Sequence, residues 1–135
     1  MIGSKLNPAE TEYAIMLAAL NFQTEFMKSR HTAARVRLHD QLIEIILTGI
    51  ASVPAETCLA ETPEGRALLQ QSYTELFRAG EPILRRRLER DLGIAITHIV
   101  GHLDPMNGTT TIFVQLLGSS TQPEGAHSVT LVPAT

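Results

Sequence analysis

The sequence predicts an α+β fold, a two-layer sandwich in which helices cover one face of a four-stranded antiparallel sheet. Hydrophobic residues recur first at helical spacing and then at every second residue, and this change of period occurs twice along the 135 residues. The elements therefore follow the order helix, hairpin, helix, hairpin. With 44% apolar and 19% charged residues, the chain can bury the core of a single domain.

The first helix is predicted from Pro8 to Ser29. Asn7 is a suitable N-cap, and Glu10 lies where a capping-box carboxylate reaches back to it. Two apolar stripes follow the helix, one with Tyr13, Met16, Leu17, Leu20 and Met27 and the other with Ile15, Ala19, Phe22 and Phe26. A surface helix needs only one such stripe. We therefore assign Phe22 and Phe26 to an interface in a homodimer.

The first hairpin is predicted where the period changes to two. Its first strand alternates apolar Ala34, Val36 and Leu38 with basic Arg35, Arg37 and His39, and Leu42–Thr48 forms its second strand. If helices cover the apolar face, the basic side chains lie on the open face of the sheet. They are candidate ligands for a small anion, although a plain solvated sheet face is the more ordinary explanation. Ile46 lies on the same side and indicates a contact surface.

Two more helices are predicted in the middle of the chain. A short one covers Pro54–Ala60, and a long one covers Pro63–Leu92 and ends at a glycine. Gly80 and Pro82 lie inside the long helix. Because proline removes a backbone donor and crowds the preceding turn, we expect either a kink near residues 78–82 or two helices in series.

The second hairpin is predicted from residues 94–103 and 109–117, joined by a turn with Asp-Pro and Asn-Gly pairs. The domain then spans residues 8–117, after a flexible segment of residues 1–7. Residues 118–135 are rich in Ser, Thr, Gly and Pro, and we expect a mobile tail that can add an edge strand.

No residue pattern predicts catalysis, a metal site or a cofactor. His98 and His102 share a strand face but lie about 13 Å apart at ~3.3 Å per residue, too far to hold one ion directly. A reactive thiol needs an electropositive setting, whereas Glu56 and Glu61 flank Cys58. We therefore expect Cys58 to be a small core residue and the protein not to be an enzyme.

The overall charge and hydropathy exclude two classes of partner. A net charge of −3 excludes general binding of nucleic acid. The longest apolar run is far shorter than the ~20 residues of a membrane span, so we expect no membrane insertion. Met1–Leu6 has no apolar signal core, which predicts a cytoplasmic protein.

Several short motifs resemble the MpsC-like family, also called YbcI-like, over about residues 10–117. They are the hairpin sequence of residues 34–45, Leu47-Thr48-Gly49 followed by Glu56 and Leu59, Glu64-Gly65, Leu92-Gly93 and Asp104-Pro105. Pro82 departs from the uninterrupted long helix associated with that family. The resemblance implies a link to sodium-translocating, membrane-potential-generating systems and to inorganic-carbon uptake. It supplies no catalytic residues.

Two functions follow from these observations. The first is a non-enzymatic accessory or regulatory protein, a homodimer that contacts another protein such as a membrane ion or inorganic-carbon transport component, with Phe22, Phe26 and Ile46 at the interface. The alternative is a domain that senses a small anion or a nucleotide through Arg35, Arg37 and His39.

Overall fold

The computed structural model describes residues 7–49 and 53–117. Its elements are α1 (Pro8–Phe22), a π-helical turn (Gln23–Met27), β1 (Ala33–Leu38), β2 (Leu42–Thr48), α2 (Pro54–Leu59), α3 (Pro63–Leu92), β3 (Ile96–Asp104) and β4 (Thr109–Leu116). The α+β class and the order helix, hairpin, helix, hairpin are confirmed. Most of the predicted flexible segment 1–7 and the whole predicted tail 118–135 lie outside the described residues.

All four strands belong to one antiparallel sheet with the order β1-β2-β4-β3. The second hairpin therefore joins the first through its last strand, and β2 and β4 lie at the centre. Val36 pairs with Ile45, which pairs with Ile112 in the next strand. Because alternate residues share a face, these apolar side chains form one surface, and α1 and α3 cover it.

The predicted capping box of α1 is present. The Asn7 side chain accepts from the Glu10 amide at 2.8 Å, and the Glu10 carboxylate accepts from the Asn7 amide at 3.2 Å. The helix does not keep its α-helical geometry to Ser29, because the last turn is π-helical and Lys28 ends it in the left-handed region with φ 57°. A non-glycine residue with positive φ is uncommon.

The long helix α3 runs without interruption from Pro63 to Leu92, so the alternative of two helices in series is wrong. The Thr62 side chain caps its start by accepting from the Gly65 amide at 2.9 Å, and Gly93 ends it with φ 67°. Pro82 is accommodated inside the helix and is exposed. Proline removes one backbone hydrogen bond, and the 30-residue helix, which packs along the sheet, keeps its helical geometry despite this loss.

The aromatic stripe of α1 lies inside the subunit, which corrects the assignment of Phe22 to an exposed interface. Phe22 is fully buried and stacks on Phe26, with ring centroids 5.5 Å apart, while the edge of Phe77 meets it at 5.9 Å. Phe26 is partly buried in the same cluster. The exposed side of α1 instead carries Tyr13 and Leu17, which are 58% and 40% exposed.

Cys58 does not occupy the core position expected for it. Cys58 is exposed, and it lies on α2, a helix in which no residue is buried. The apolar spacing that makes a core helix is absent from this six-residue segment, so α2 contacts α3 without contributing a buried side chain.

Candidate functional site

One face of the sheet is not covered by any described helix. Two rows of paired residues cross it, one formed by Arg35, Ile46, Thr111 and His102 and the other by Arg37, Glu44, Phe113 and Val100. All of these residues are exposed or only partly buried, in contrast to their neighbours on the helix side. The alternation of the strands thus produces an open sheet face, as the sequence predicted.

Four apolar residues lie together on this face, namely Leu42, Ile46, Val100 and Phe113, and we call them the open-face patch. Phe113 on the central strand β4 pairs with Val100, which is 48% exposed, and lies diagonally opposite Ile46 and Leu42 of β2. Ile46 was assigned to this face from the sequence. The other three were missed, although the alternation of Phe113 with buried neighbours was a signal for its position.

The basic residues predicted as an anion site are placed together at the β1 edge of this face. Arg35 is exposed. The Arg37 Nη1 atom lies 3.6 Å from Glu44 Oε1, and the His39 Nε2 atom lies 3.4 Å from the same oxygen. Glu44 therefore offsets part of the positive charge. The Arg37 Nε atom is buried without a hydrogen-bond partner among the described residues, which leaves a donor unused.

The histidines of β3 lie on the same open face. A bulge between Ile96 and His98 shifts the register, after which His98 pairs with Gln115 and His102 pairs with Thr111. Val100 separates the two histidines along the strand. Within residues 7–49 and 53–117, no group of three or more His, Cys, Asp or Glu side chains is arranged to hold a metal ion.

The arginine-rich end of α3 is an ion-paired face. Arg85 pairs with Glu81 at 2.8 Å, and Arg87 pairs with Glu25 of the π-helical turn at 2.8 Å. Arg85 also donates to the carbonyls of Ile96 and Thr97 at 2.8 and 3.1 Å. These bonds occupy backbone acceptors at the start of an edge strand, which reduces the chance of pairing with a foreign strand there.

The chain matches one family model, described as "Na+-translocating membrane potential-generating system (MpsC)", over residues 9–117. No curated protein and no solved structure matches it significantly. Among the described helices, none combines the length and apolar character that a membrane crossing requires. Because the match covers both hairpins and the helices of the domain, the chain belongs to the MpsC family.

Proposed function

We propose that the protein is a non-enzymatic accessory component of a membrane ion transport system and that it works as a homodimer through its open sheet face. The family description supports the connection to ion transport. The observation that supports the proposed dimer is the position of Phe113, an aromatic residue at the middle of a sheet face that no described element covers. We propose further that it acts in the cytoplasm.

The open-face patch has the composition of an interface centre. Aromatic and aliphatic side chains lie around the middle, where the Glu44 carboxylate also lies and pairs with Arg37 at 3.6 Å, and the arginines lie at the margin. Aromatic residues and arginine are among the side chains that protein interfaces favour. Leu42, Ile46 and Phe113 belong to the two central strands, whereas Arg35 and Arg37 belong to the edge strand β1. A partner surface with an apolar centre would therefore remove the patch from water.

A second copy of the chain fits this pattern. Packed sheets align their strands within about 30° of each other. A two-fold axis along the strands then places patch against patch and brings β1 of one copy over β3 of the other. The β1 margin carries Arg35 and Arg37, while β3 ends in Asp104. Asp104 is ionised at neutral pH, and hydrogen bonding from the Asn107 side chain lowers its pKa further.

The dimer is tested by light scattering coupled to size-exclusion chromatography at micromolar concentration. We expect the wild-type chain to be a dimer and Phe113→Asp and Val100→Asp to be monomers, because each places a carboxylate in the patch. Leu68→Asp is the matched control, since Leu68 is 54% exposed on α3 in the opposite layer. Circular dichroism verifies that each variant is folded. A wild-type monomer, or dimers that survive both patch substitutions, would contradict the proposal.

The accessory role has a separate test. Affinity capture of the tagged wild-type chain from native membranes, followed by mass spectrometry, is expected to recover a membrane component of an ion or inorganic-carbon transport system. A capture that contains no such component would contradict the accessory role and would leave the dimer experiment unaffected.

A second candidate function is the sensing of a small anion or a nucleotide at Arg35, Arg37 and His39. The unused Arg37 Nε donor favours it, because a buried guanidinium nitrogen gains a hydrogen bond from a bound oxyanion. Glu44 weighs against it, since its carboxylate already contacts both Arg37 and His39.

A further inference from the structure

The strand β1 lies at one edge of the sheet, and among the described strands it pairs with β2 alone. In an antiparallel ladder, the backbone groups of every second residue face the partner strand. The His39 amide donates to the Leu42 carbonyl at 2.8 Å, which directs the backbone groups of Arg37 and Arg35 towards β2. The amides and carbonyls that point away from β2 belong to Ala34, Val36 and Leu38. Within residues 7–49 and 53–117, no hydrogen bond occupies these outward groups.

The opposite edge of the sheet, at β3, differs because side chains of α3 already bind its backbone. Gln70 donates to the Leu103 carbonyl at 3.2 Å. Arg85 donates to the Thr97 carbonyl at 3.1 Å, so acceptors are occupied near both ends of β3. An added strand therefore finds more unused backbone groups along β1 than along β3.

A groove of about 310 Å³ runs between the β1 edge and α1. Its lining includes Ala34 and Val36 from β1 and Ala9, Tyr13 and Met16 from α1. Glu12 and Arg35 complete the lining, and their formal charges offset each other, which favours an uncharged occupant. A strand paired with β1 directs every second side chain to the helix side of the sheet, where this groove lies.

Residues 127–132 of the same chain have the sequence that this edge and groove require. Apolar Val129 and Leu131 alternate with polar Ser128 and Thr130, which is the pattern of a strand with one buried face. Apart from His127, no side chain of the segment is ionisable. The segment can therefore pair with β1 through its backbone while its two alternate apolar side chains enter the groove.

The end of β4 lies close to where such a strand has to begin. The Leu116 amide donates to the carbonyl of Gln41, which belongs to the turn after β1, at 3.0 Å. Strands are spaced about 4.8 Å apart, so a position outside β1 is about 14 Å from β4. Residues 118–126 can extend to about 30 Å. A chain that enters from this end runs antiparallel to β1, whereas beside β3 it would form the less stable parallel pairing.

We propose that residues 127–132 form a fifth strand, antiparallel to β1, which covers this edge of the sheet. Val129 lies beside Val36 in this arrangement. Leu131 lies beside Ala34, so both apolar side chains fill the groove against α1. The segment thereby prevents β1 from pairing with a strand of another molecule. The inference concerns the edge of the sheet and is independent of the dimer through the open face.

Amide hydrogen exchange of the full chain, followed residue by residue by NMR, tests the fifth strand. The Val36 amide should exchange at least about tenfold more slowly than an amide without a partner. Val129→Asp combined with Leu131→Asp should remove this protection, because the two carboxylates would have to enter the groove. The Arg37 amide donates to β2, so its exchange should stay unchanged. This comparison distinguishes the loss of the fifth strand from unfolding of the sheet.

Thr121→Asp combined with Gln122→Asp is the matched control, because it adds the same charge to the segment that connects β4 to the fifth strand. It should leave the Val36 amide as protected as in the wild-type chain. The proposal is overturned if the wild-type Val36 amide exchanges as fast as an amide without a partner, or if its protection survives the paired substitutions at Val129 and Leu131. Protection that disappears on dilution would overturn it as well, because another molecule would then occupy the edge.

Discussion

Gly80 of α3 leaves room for the rings of Phe22 and Phe26, and its replacement by alanine measures how tightly these rings pack against the helix. Gly80 is buried on α3 under the aromatic cluster. A Cβ at this position would lie 2.4 Å from Phe26 Cε2 and 2.9 Å from Phe22 Cζ. Phe22 is fully buried and has no space into which to move, whereas Phe26 is partly buried and can retreat towards solvent.

Two opposing effects set the size of the change. Alanine is favoured over glycine in a helix interior by about 1 kcal/mol. Overpacking of a well-packed core costs about 1–3 kcal/mol, and contacts this short place Gly80→Ala at the upper end of that range. We therefore expect a net loss of about 2 kcal/mol in the free energy of unfolding, or about 8 °C in Tm for a domain of this size.

Urea denaturation followed by circular dichroism measures the loss. Ala79→Gly is the control, since Ala79 is exposed on the same helix and the change there should cost only the propensity difference of about 1 kcal/mol. In a Phe26→Ala background the nearest obstacle is gone, and the cost of Gly80→Ala should fall by at least about 1 kcal/mol. Stabilisation by Gly80→Ala in the wild-type chain, or an equal cost in both backgrounds, would refute the packing argument.

Two further predictions concern charged groups. If the β1 margin senses anions, bicarbonate should raise Tm by mass action, and replacing Arg35 and Arg37 with alanine should remove that rise; an unchanged rise excludes this site. Burial lowers the pKa of His31 below 6.5, so the unfolded chain takes up a proton that the folded chain resists. Stability should therefore fall as the pH drops through about 6.5, and His31→Gln should show a smaller loss of urea midpoint between about pH 7.5 and about pH 5.5.

The strands could be predicted because successive side chains of a strand point to opposite faces of the sheet, so buried and exposed residues alternate along the sequence. Leu42–Thr48 has the predicted bounds, since apolar residues at every second position fix both the strand and its buried side. The start of β3 was less readable. The sequence places it at Ile94, but the strand begins at Ile96, where the Ile96 amide donates to the Glu89 carboxylate of α3 at 3.0 Å. This hydrogen bond joins a helix to a strand, and no local pattern in the amino-acid sequence indicates it.

A cavity of about 230 Å³ on the helix side of the sheet, lined in part by Met27, Ser29, Tyr73 and Leu103, could not be predicted for a similar reason. Its walls come from four separate parts of the chain, so no spacing in the sequence brings Ser29 close to Tyr73. The π-helical turn that positions Ser29 has no composition that distinguishes it from an ordinary helix end. The unpartnered Tyr73 hydroxyl becomes visible only when the residues packed around it are known.

Phe22 and Phe26 of the core and Phe113 of the open face together show why apolar character alone does not locate an interface. Along α1, apolar residues occupy more than one side, so the sequence leaves open which stripe the domain buries. Gly80 on a distant helix contributes to the answer, because a position without a Cβ makes room for Phe22 and Phe26, whereas Tyr13 and Leu17 on another side of α1 are exposed. The side on which Phe113 lies does not depend on a distant residue in this way. Its neighbours Ile112 and Val114 are fully buried, and in a strand that alone directs Phe113 to the open face, where a partner can cover it.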